Sequence, residues 1–291
     1  MKKVLSVLLA ASLALGMTAC GSTASSEAAS EPAASESTAS SEAASSEAAS
    51  DATSDTASAE VTTVEPGKLI MSTNAAFPPY EMTAADGSFE GIAVEIAGAI
   101  AEKLGLELQI DDMDFDAALL AAQTGKSDMV MAGVTVTEDR QTVMDFSDSY
   151  AAGIQVVIVP EDSDIASIDD MTGKMIGVQR GTTGDQYCSA SVEDGGFGEE
   201  NVTRYDNGLT AVQALNNGQV DCVVIDNAPA QEFVAANPGL KILDTEYANE
   251  DYAIGVAKGN TQLLDAINTA IAELKADGTI QSILDKYISA E

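Results

Sequence analysis

Two segments of this chain follow the same local plan. Residues 119–133 read LLAAQTGKSDMVMAG and residues 212–226 read VQALNNGQVDCVVID, 93 positions apart. Each is a helical stretch, a glycine, two residues, an aspartate and an apolar strand-like run. Gly125 and Asp128 thus align with Gly218 and Asp221, and Gly133 aligns with Asp226. Two copies do not make a solenoid, but they fit two α/β lobes of related topology. Gly133 and Asp226 would then stand at equivalent carboxyl ends of strands, the edge where open α/β sheets bind ligands.

The remaining pattern agrees. Strand-like runs at 68–73, 106–110, 129–132, 175–178, 202–205 and 222–225 alternate with amphipathic stripes. One stripe is Ile96, Ile100 and Leu104, closed by Gly105; a second is Leu209, Val212 and Leu215, ended by Gly218. A third is Leu263, Leu264, Ile267, Ile271 and Leu274. Such alternation predicts an α/β architecture with mostly parallel sheets.

The first sixty residues read differently. Lys2 and Lys3 precede a short apolar run, Val4 to Gly16, which suits a signal segment better than a membrane span. Met17-Thr18-Ala19-Cys20 resembles a bacterial lipobox, with Met17 where leucine is commoner. The resemblance implies that residues 1–19 are removed and that Cys20 carries diacylglycerol. Such an anchor would hold the chain at the outer face of the bacterial cytoplasmic membrane. The plain alternative is an ordinary signal peptide with an incidental cysteine. Gly21 to Glu60 is almost wholly Ser, Ala, Thr, Glu and Asp, without aromatics or basic residues. It has too little apolar surface to offset chain entropy and reads as a disordered tether, about 35 Å across as a flexible coil.

Composition removes several function classes. The chain has 13 basic and 47 acidic residues and no histidine, for a net charge of −34. The acidity disfavours nucleic acid, whose binding is driven by lysine and arginine. Without imidazole there is no Ser-His or Cys-His catalytic pair and no histidine-ligated metal. No cofactor is expected. Only two basic and eight acidic residues precede Val61, so the folded part is itself strongly acidic. That is ordinary for solubility, and it also attracts cationic solutes.

Three features point to one edge of the lobes. Thr137 can cap a short helix with Arg140 on its first turn, a position that calls for an anionic partner. The turn Gln179-Arg180-Gly181-Thr182-Thr183-Gly184-Asp185 opens a helix and offers backbone amides to an anion, without the spacing of a P-loop or a dinucleotide site. Asp226 ends an apolar strand; it could instead cap the helix near Pro229. Arg140 with the Thr182 and Thr183 amides can hold a carboxylate, and Asp226 an ammonium. An α-amino acid carries both. Phe77, in a loop stiffened by Pro78 and Pro79, and Phe115 can supply apolar walls, although aromatics in such places more often belong to the core.

The runs NAAFPPYEM, GIAVEIAGAIAEKLG, DFDAALLAAQTGKSDMVMAGVTVTEDR, DFSDSY, VQRGTTGD and DCVVIDNAPA resemble the polar amino-acid binding proteins of ABC importers, over about 68–288. Ala93 stands where that family usually has an acid. The resemblance implies a type II periplasmic-binding-protein fold, two Rossmann-like α/β lobes joined by two crossing strands. One lobe would be 61–152 with 252–291, the other 153–251, with hinges near Tyr150 to Gly153 and Glu250 to Tyr252. It implies that Arg140, the Thr135 hydroxyl and the Thr183 amide take the ligand carboxylate. Gly133 and Asp226 would take the ammonium, Phe77 and Phe115 the side chain, and Asn74 and Gln179 its far end. Relatives often have aspartate at Asn74; Glu81, Asp114 and Asp116 could replace that charge, though each is by default solvated. Arg180 should point away from the face of Gln179.

The expected function is therefore a monomeric receptor that hands a free amino acid to an ABC permease. Lysine, arginine or ornithine is favoured, with glutamine or another neutral polar amino acid as the alternative. A secreted dehydratase on the same fold, and a sensor module, are the rivals. Cys188 and Cys222 belong to one lobe and could form a disulfide, for which sequence does not supply the geometry.

Overall fold

The computed structural model describes residues 61–288. The expectations for the leader, for Cys20 and for the tether lie outside the described residues.

The chain begins with β1 (Lys68–Thr73), β2 (Ala76–Phe77), β3 (Glu81–Thr83) and β4 (Phe89–Glu90). Then come α1 (Ile92–Leu104), β5 (Glu107–Asp112), α2 (Phe115–Gln123), β6 (Met129–Val130), α3 (Glu138–Val143) and β7 (Met144–Phe146). Strand β8 (Ala151–Pro160) leads into a second lobe of β9 (Ile176–Gln179), α4 (Thr183–Ser189), β10 (Val202–Tyr205), α5 (Gly208–Asn216), β11 (Cys222–Asp226), α6 (Asn227–Ala236) and β12 (Leu240–Ile242). Strand β13 (Ala248–Tyr252) returns to the first lobe, which ends in β14 (Gly255–Ala257), α7 (Thr261–Ala276) and α8 (Thr279–Tyr287).

The first sheet has the order β5-β1-β6-β14-β7 and the second β10-β9-β11-β8-β12. In each, three strands are parallel, as the strand-helix alternation predicts. The others run antiparallel: β14 against β6 and β7, and β8 against β11 and β12. Both β8 and β14 enter their sheets from the opposite lobe, so they do not follow a right-handed strand-helix-strand crossover. The crossing strands pair with each other, Gly153 opposite Glu250 and Ala151 opposite Tyr252.

Helical periodicity places the core. Ile92, Ile96 and Ile100 of α1 are buried, and Gly105 ends that helix in the left-handed region at φ 69°. Leu263, Ile267, Ile271 and Leu274 form the buried face of α7. Burying each such side chain contributes roughly 1.5–3 kcal/mol. In α5 the stripe shifts: Ala211, Val212 and Leu215 are buried while Leu209 is exposed. At 3.6 residues per turn the inward row is 208, 211, 212 and 215, which leaves Leu209 to one side.

The duplicated plan is a structural repeat. Gly125 and Gly218 share the left-handed conformation, at φ 68° and 67°. The Asp128 carboxylate accepts the amides of Val64 and Ile70, both at 2.7 Å, and so holds β1 beside β6. Asp221 accepts the amide of Met175 at 2.7 Å, just before β9, the neighbour of β11.

Cys188 and Cys222 are both free and buried. Burial raises both thiols, Cys222 to about 12, so they stay protonated at neutral pH.

Candidate functional site

The carboxyl ends of β1, β6, β9 and β11 meet at a narrow cleft between the two sheets. Its wall contains Asn74, Phe77, Phe115, Gly133, Thr135, Arg140, Gln179, Thr182, Thr183 and Asp226, the ten residues that the sequence reading gave to the ligand, together with Glu81 and Ala132. Phe77 and Phe115 also pack into the core, so the two readings of each aromatic coexist. Gly133 has φ 58°, and a Cβ there would lie 2.7 Å from the Phe77 ring. Only glycine gives both that backbone and that clearance.

Arg140 sits in the first turn of α3, where the Thr137 side chain accepts its amide at 3.2 Å. The side chain is only 6% exposed. Its Nη1 donates to the Thr135 carbonyl at 2.8 Å, and its Nη2 crosses the cleft to the Gly181 carbonyl at 3.1 Å. The guanidinium carbon lies 5.5 Å from the Phe115 ring centroid. Among the described residues its hydrogen bonds go to carbonyls, and no ion pair involves it. Burial lowers its pKa, while Glu250, Tyr187 and Asp226 push it back up. A buried guanidinium remains charged, and without a counter-ion it favours an anion at its free edge.

Asp226 occupies the N-cap position of α6 but makes no side-chain capping bond. Its carboxylate instead accepts the Tyr252 hydroxyl. Capping therefore does not account for this residue. Burial, then Glu250, raise its pKa to about 7, against the opposing pull of Tyr252 and Gln155.

Glu81 differs most from what its sequence context implies. Asp114 and Asp116 are exposed, but Glu81 has no exposed surface and neither carboxylate oxygen has a hydrogen-bond partner. It opens β3 opposite Phe77, so the small β2-β3-β4 sheet turns it inward with that ring. Burial, and then Asp226, hold its pKa well above the usual carboxylate range.

The amide-rich turn is partly committed. The Thr182 hydroxyl accepts the Asp185 amide at 3.2 Å, and the Thr182 amide donates to Gln179 at 3.4 Å. The Gly181 amide donates to Asp185 at 2.9 Å, a carboxylate held in turn by Arg204 at 2.8 Å. Thr183, the first residue of α4, is left with the unshared amide that a helix start provides. At the far end the Gln179 side-chain amide donates to Asn74 Oδ1 at 3.1 Å, across the cleft. Asn74 Nδ2 donates to the Met113 carbonyl at 2.9 Å. Arg180 is exposed as expected, but not through strand alternation: all four residues of β9 are buried, and Arg180 lies in the turn that follows.

The Thr135 hydroxyl donates to Glu250 at 2.8 Å, so, contrary to the expectation from the family resemblance, its proton is not free for a ligand carboxylate and its oxygen is left as an acceptor. Glu250 and Tyr252 were legible in the sequence only as part of a hinge, not as residues bonded to the site. Both are buried on either side of exposed Asp251, a period-two pattern in β13 that carried the signal. No group of three or more His, Cys, Asp or Glu among the described residues is placed to hold a metal ion, and no described helix is long and apolar enough to cross a membrane.

Residues 69–290 match the model of bacterial extracellular solute-binding proteins, family 3. The L-cystine-binding protein TcyJ of Escherichia coli K12 is 30% identical over 230 residues, 78% of this chain and 85% of its own. The arginine-binding extracellular protein ArtP of Bacillus subtilis 168 is 30% identical over 77% of this chain and 87% of its own. An ancestral arginine-binding protein has been solved bound to arginine and bound to glutamine. Both structures superpose with a TM-score of 0.71, at 41% and 40% identity, over 77% of this chain and 99% of theirs. The two lobes, joined by paired crossing strands, have the type II periplasmic-binding-protein fold, and the chain belongs to family 3 of the bacterial extracellular solute-binding proteins.

Proposed function

We propose that this protein is the extracytoplasmic binding component of an amino-acid ABC importer, anchored through Cys20, and that its ligand is a cationic L-amino acid such as arginine, lysine or ornithine. Arg140 and the Thr183 amide hold the α-carboxylate. Asp226, the Gly133 carbonyl and the Thr135 oxygen take the α-ammonium. Phe77 and Phe115 flank the side chain, whose terminal cation meets Glu81 near Asn74 and Gln179. Closure turns the lobe of 61–152 and 252–291 against that of 153–251, and the ligand favours the closed form because only there do both lobes reach it.

Glu81 carries the cationic part of this reading. Among the lining residues there is one cation, Arg140, and two carboxylates, Asp226 and Glu81. A zwitterion satisfies Arg140 and Asp226 and leaves Glu81, fully buried and without a donor, to be matched by a further positive charge. The arginine-binding names of ArtP and of the ancestral protein support the same class. A neutral amide ligand is the second reading, supported by the glutamine-bound ancestral structure. In that case Glu81 would stay protonated and act as a donor.

A thermal-shift screen of the twenty amino acids, ornithine and citrulline tests this. A ligand at 100 times its Kd stabilises by about 2.7 kcal/mol. Arginine, lysine or ornithine should give the largest shift. A shift from neutral amino acids alone would refute the cationic reading, and none from any amino acid would refute the receptor.

A further inference from the structure

Glu250 is absent from the cavity wall, yet it is only 7% exposed and lies in the middle of crossing strand β13. Its Oε2 accepts the Thr135 hydroxyl at 2.8 Å and the Gln155 side-chain amide at 3.1 Å. A carboxylate only accepts and a hydroxyl has a single proton, so the Thr135 proton must face Glu250. The lone pairs of Thr135 Oγ1 are then what remains for the cavity.

The surroundings leave no other freedom. Thr135 bridges to Tyr252 through its backbone, the Val136 amide donates to Asp251 at 3.3 Å, and the Ala253 amide donates to Val134 at 3.0 Å. With the backbone fixed, the hydroxyl torsion decides whether Thr135 offers a hydrogen or an oxygen to a ligand. Gln155, on β8, donates to the same Oε2 and helps to hold that acceptor in place.

We propose that Glu250 is a positioning residue, which by taking the Thr135 proton makes the Thr135 oxygen an acceptor for the ligand α-ammonium. It acts through the direction of a hydrogen bond, not through contact with the ligand. A hydroxyl turned the other way would point its hydrogen at the ammonium and leave a buried donor facing a donor. This inference rests on the reading of the cavity as an amino-acid site.

The test is calorimetric titration with L-arginine of the wild type and of Glu250→Met, Glu250→Gln, Thr135→Val, Thr135→Ser and the double variant Glu250→Met/Thr135→Val. Methionine removes the acceptor, whereas glutamine keeps a carbonyl oxygen where Gln155 and Thr135 require one. Glu250→Met and Thr135→Val should each weaken binding about tenfold. The Gln and Ser variants should recover most of that loss, and the double variant should bind no worse than the weaker single one. Losses that multiply in the double variant, or a Gln variant as weak as the Met variant, would overturn the proposal. Should Glu250→Met fail to fold, Thr135→Val decides against Thr135→Ser, and equal losses overturn it. A wild type that binds L-glutamine and not L-arginine refutes the cationic reading; the same cycle then runs with L-glutamine, which carries the same ammonium.

Discussion

Arg140 on the first lobe donates to the carbonyl of Gly181 on the second, 3.1 Å away. One buried guanidinium thus spans the cleft and touches the turn that opens α4. Its hydrogen bonds both go to carbonyls, and Glu250 and Asp226, beyond ion-pair distance, offset its charge only in part until an anion arrives.

Replacing it should therefore separate binding from stability. Arg140→Met keeps much of the volume and removes a buried charge. The empty variant should melt within about 1 kcal/mol of the wild type, or above it, while affinity for arginine falls by at least about a hundredfold. Thermal unfolding and calorimetry on the same samples check both halves.

Glu81→Gln keeps the shape of the side chain and removes its charge. Binding of arginine should weaken while binding of citrulline, its neutral isostere, stays level or improves. The arginine-to-citrulline ratio in competition experiments is the readout. If both ligands weaken alike, Glu81 does not face the side-chain cation.

How far the site was legible differs from residue to residue. Arg140, Asp226 and Thr183 could be read because helix starts and strand ends are marked by local chemistry that sequence shows directly. The aspartates of the repeated unit were legible as a pattern, but not the strand-start amides they hold. Glu81 was not legible as buried. Its burial comes from a three-stranded sheet of two- and three-residue strands, too short for alternation to register. The bonds of Glu250 to the site were missed for another reason: its partners, Thr135 and Gln155, lie 115 and 95 residues away.

The pH dependence follows from Asp226, whose pKa is raised from the ordinary 3.8 to about 7 mainly by burial and then by Glu250. A raised folded-state value favours the protonated native form. Its stabilisation is full below the unfolded value and is lost as pH rises through about 7. The empty wild type should lose stability relative to Asp226→Asn between pH 5 and pH 8. Ligand binding runs the opposite way, because the ammonium requires the ionised form. Affinity should fall about tenfold from pH 8 to pH 6, with Glu81 acting in the same direction.

Gly153 stands where the crossing strands pair, opposite Glu250, and a Cβ there would come 2.5 Å from the Tyr252 ring. Gly153→Ala must displace the tyrosine that bonds Asp226. It should destabilise the protein by about 1–3 kcal/mol and also weaken ligand binding. Chemical denaturation with and without arginine measures the two effects.

The most direct measurement is calorimetric titration of the wild-type protein with L-arginine and with L-citrulline at pH 8. Glu81, fully buried and without a hydrogen-bond donor, should make arginine bind at least about a hundredfold tighter, as expected for a desolvated ion pair at the side-chain end. Equal affinities for the two, or citrulline the tighter, would contradict the account.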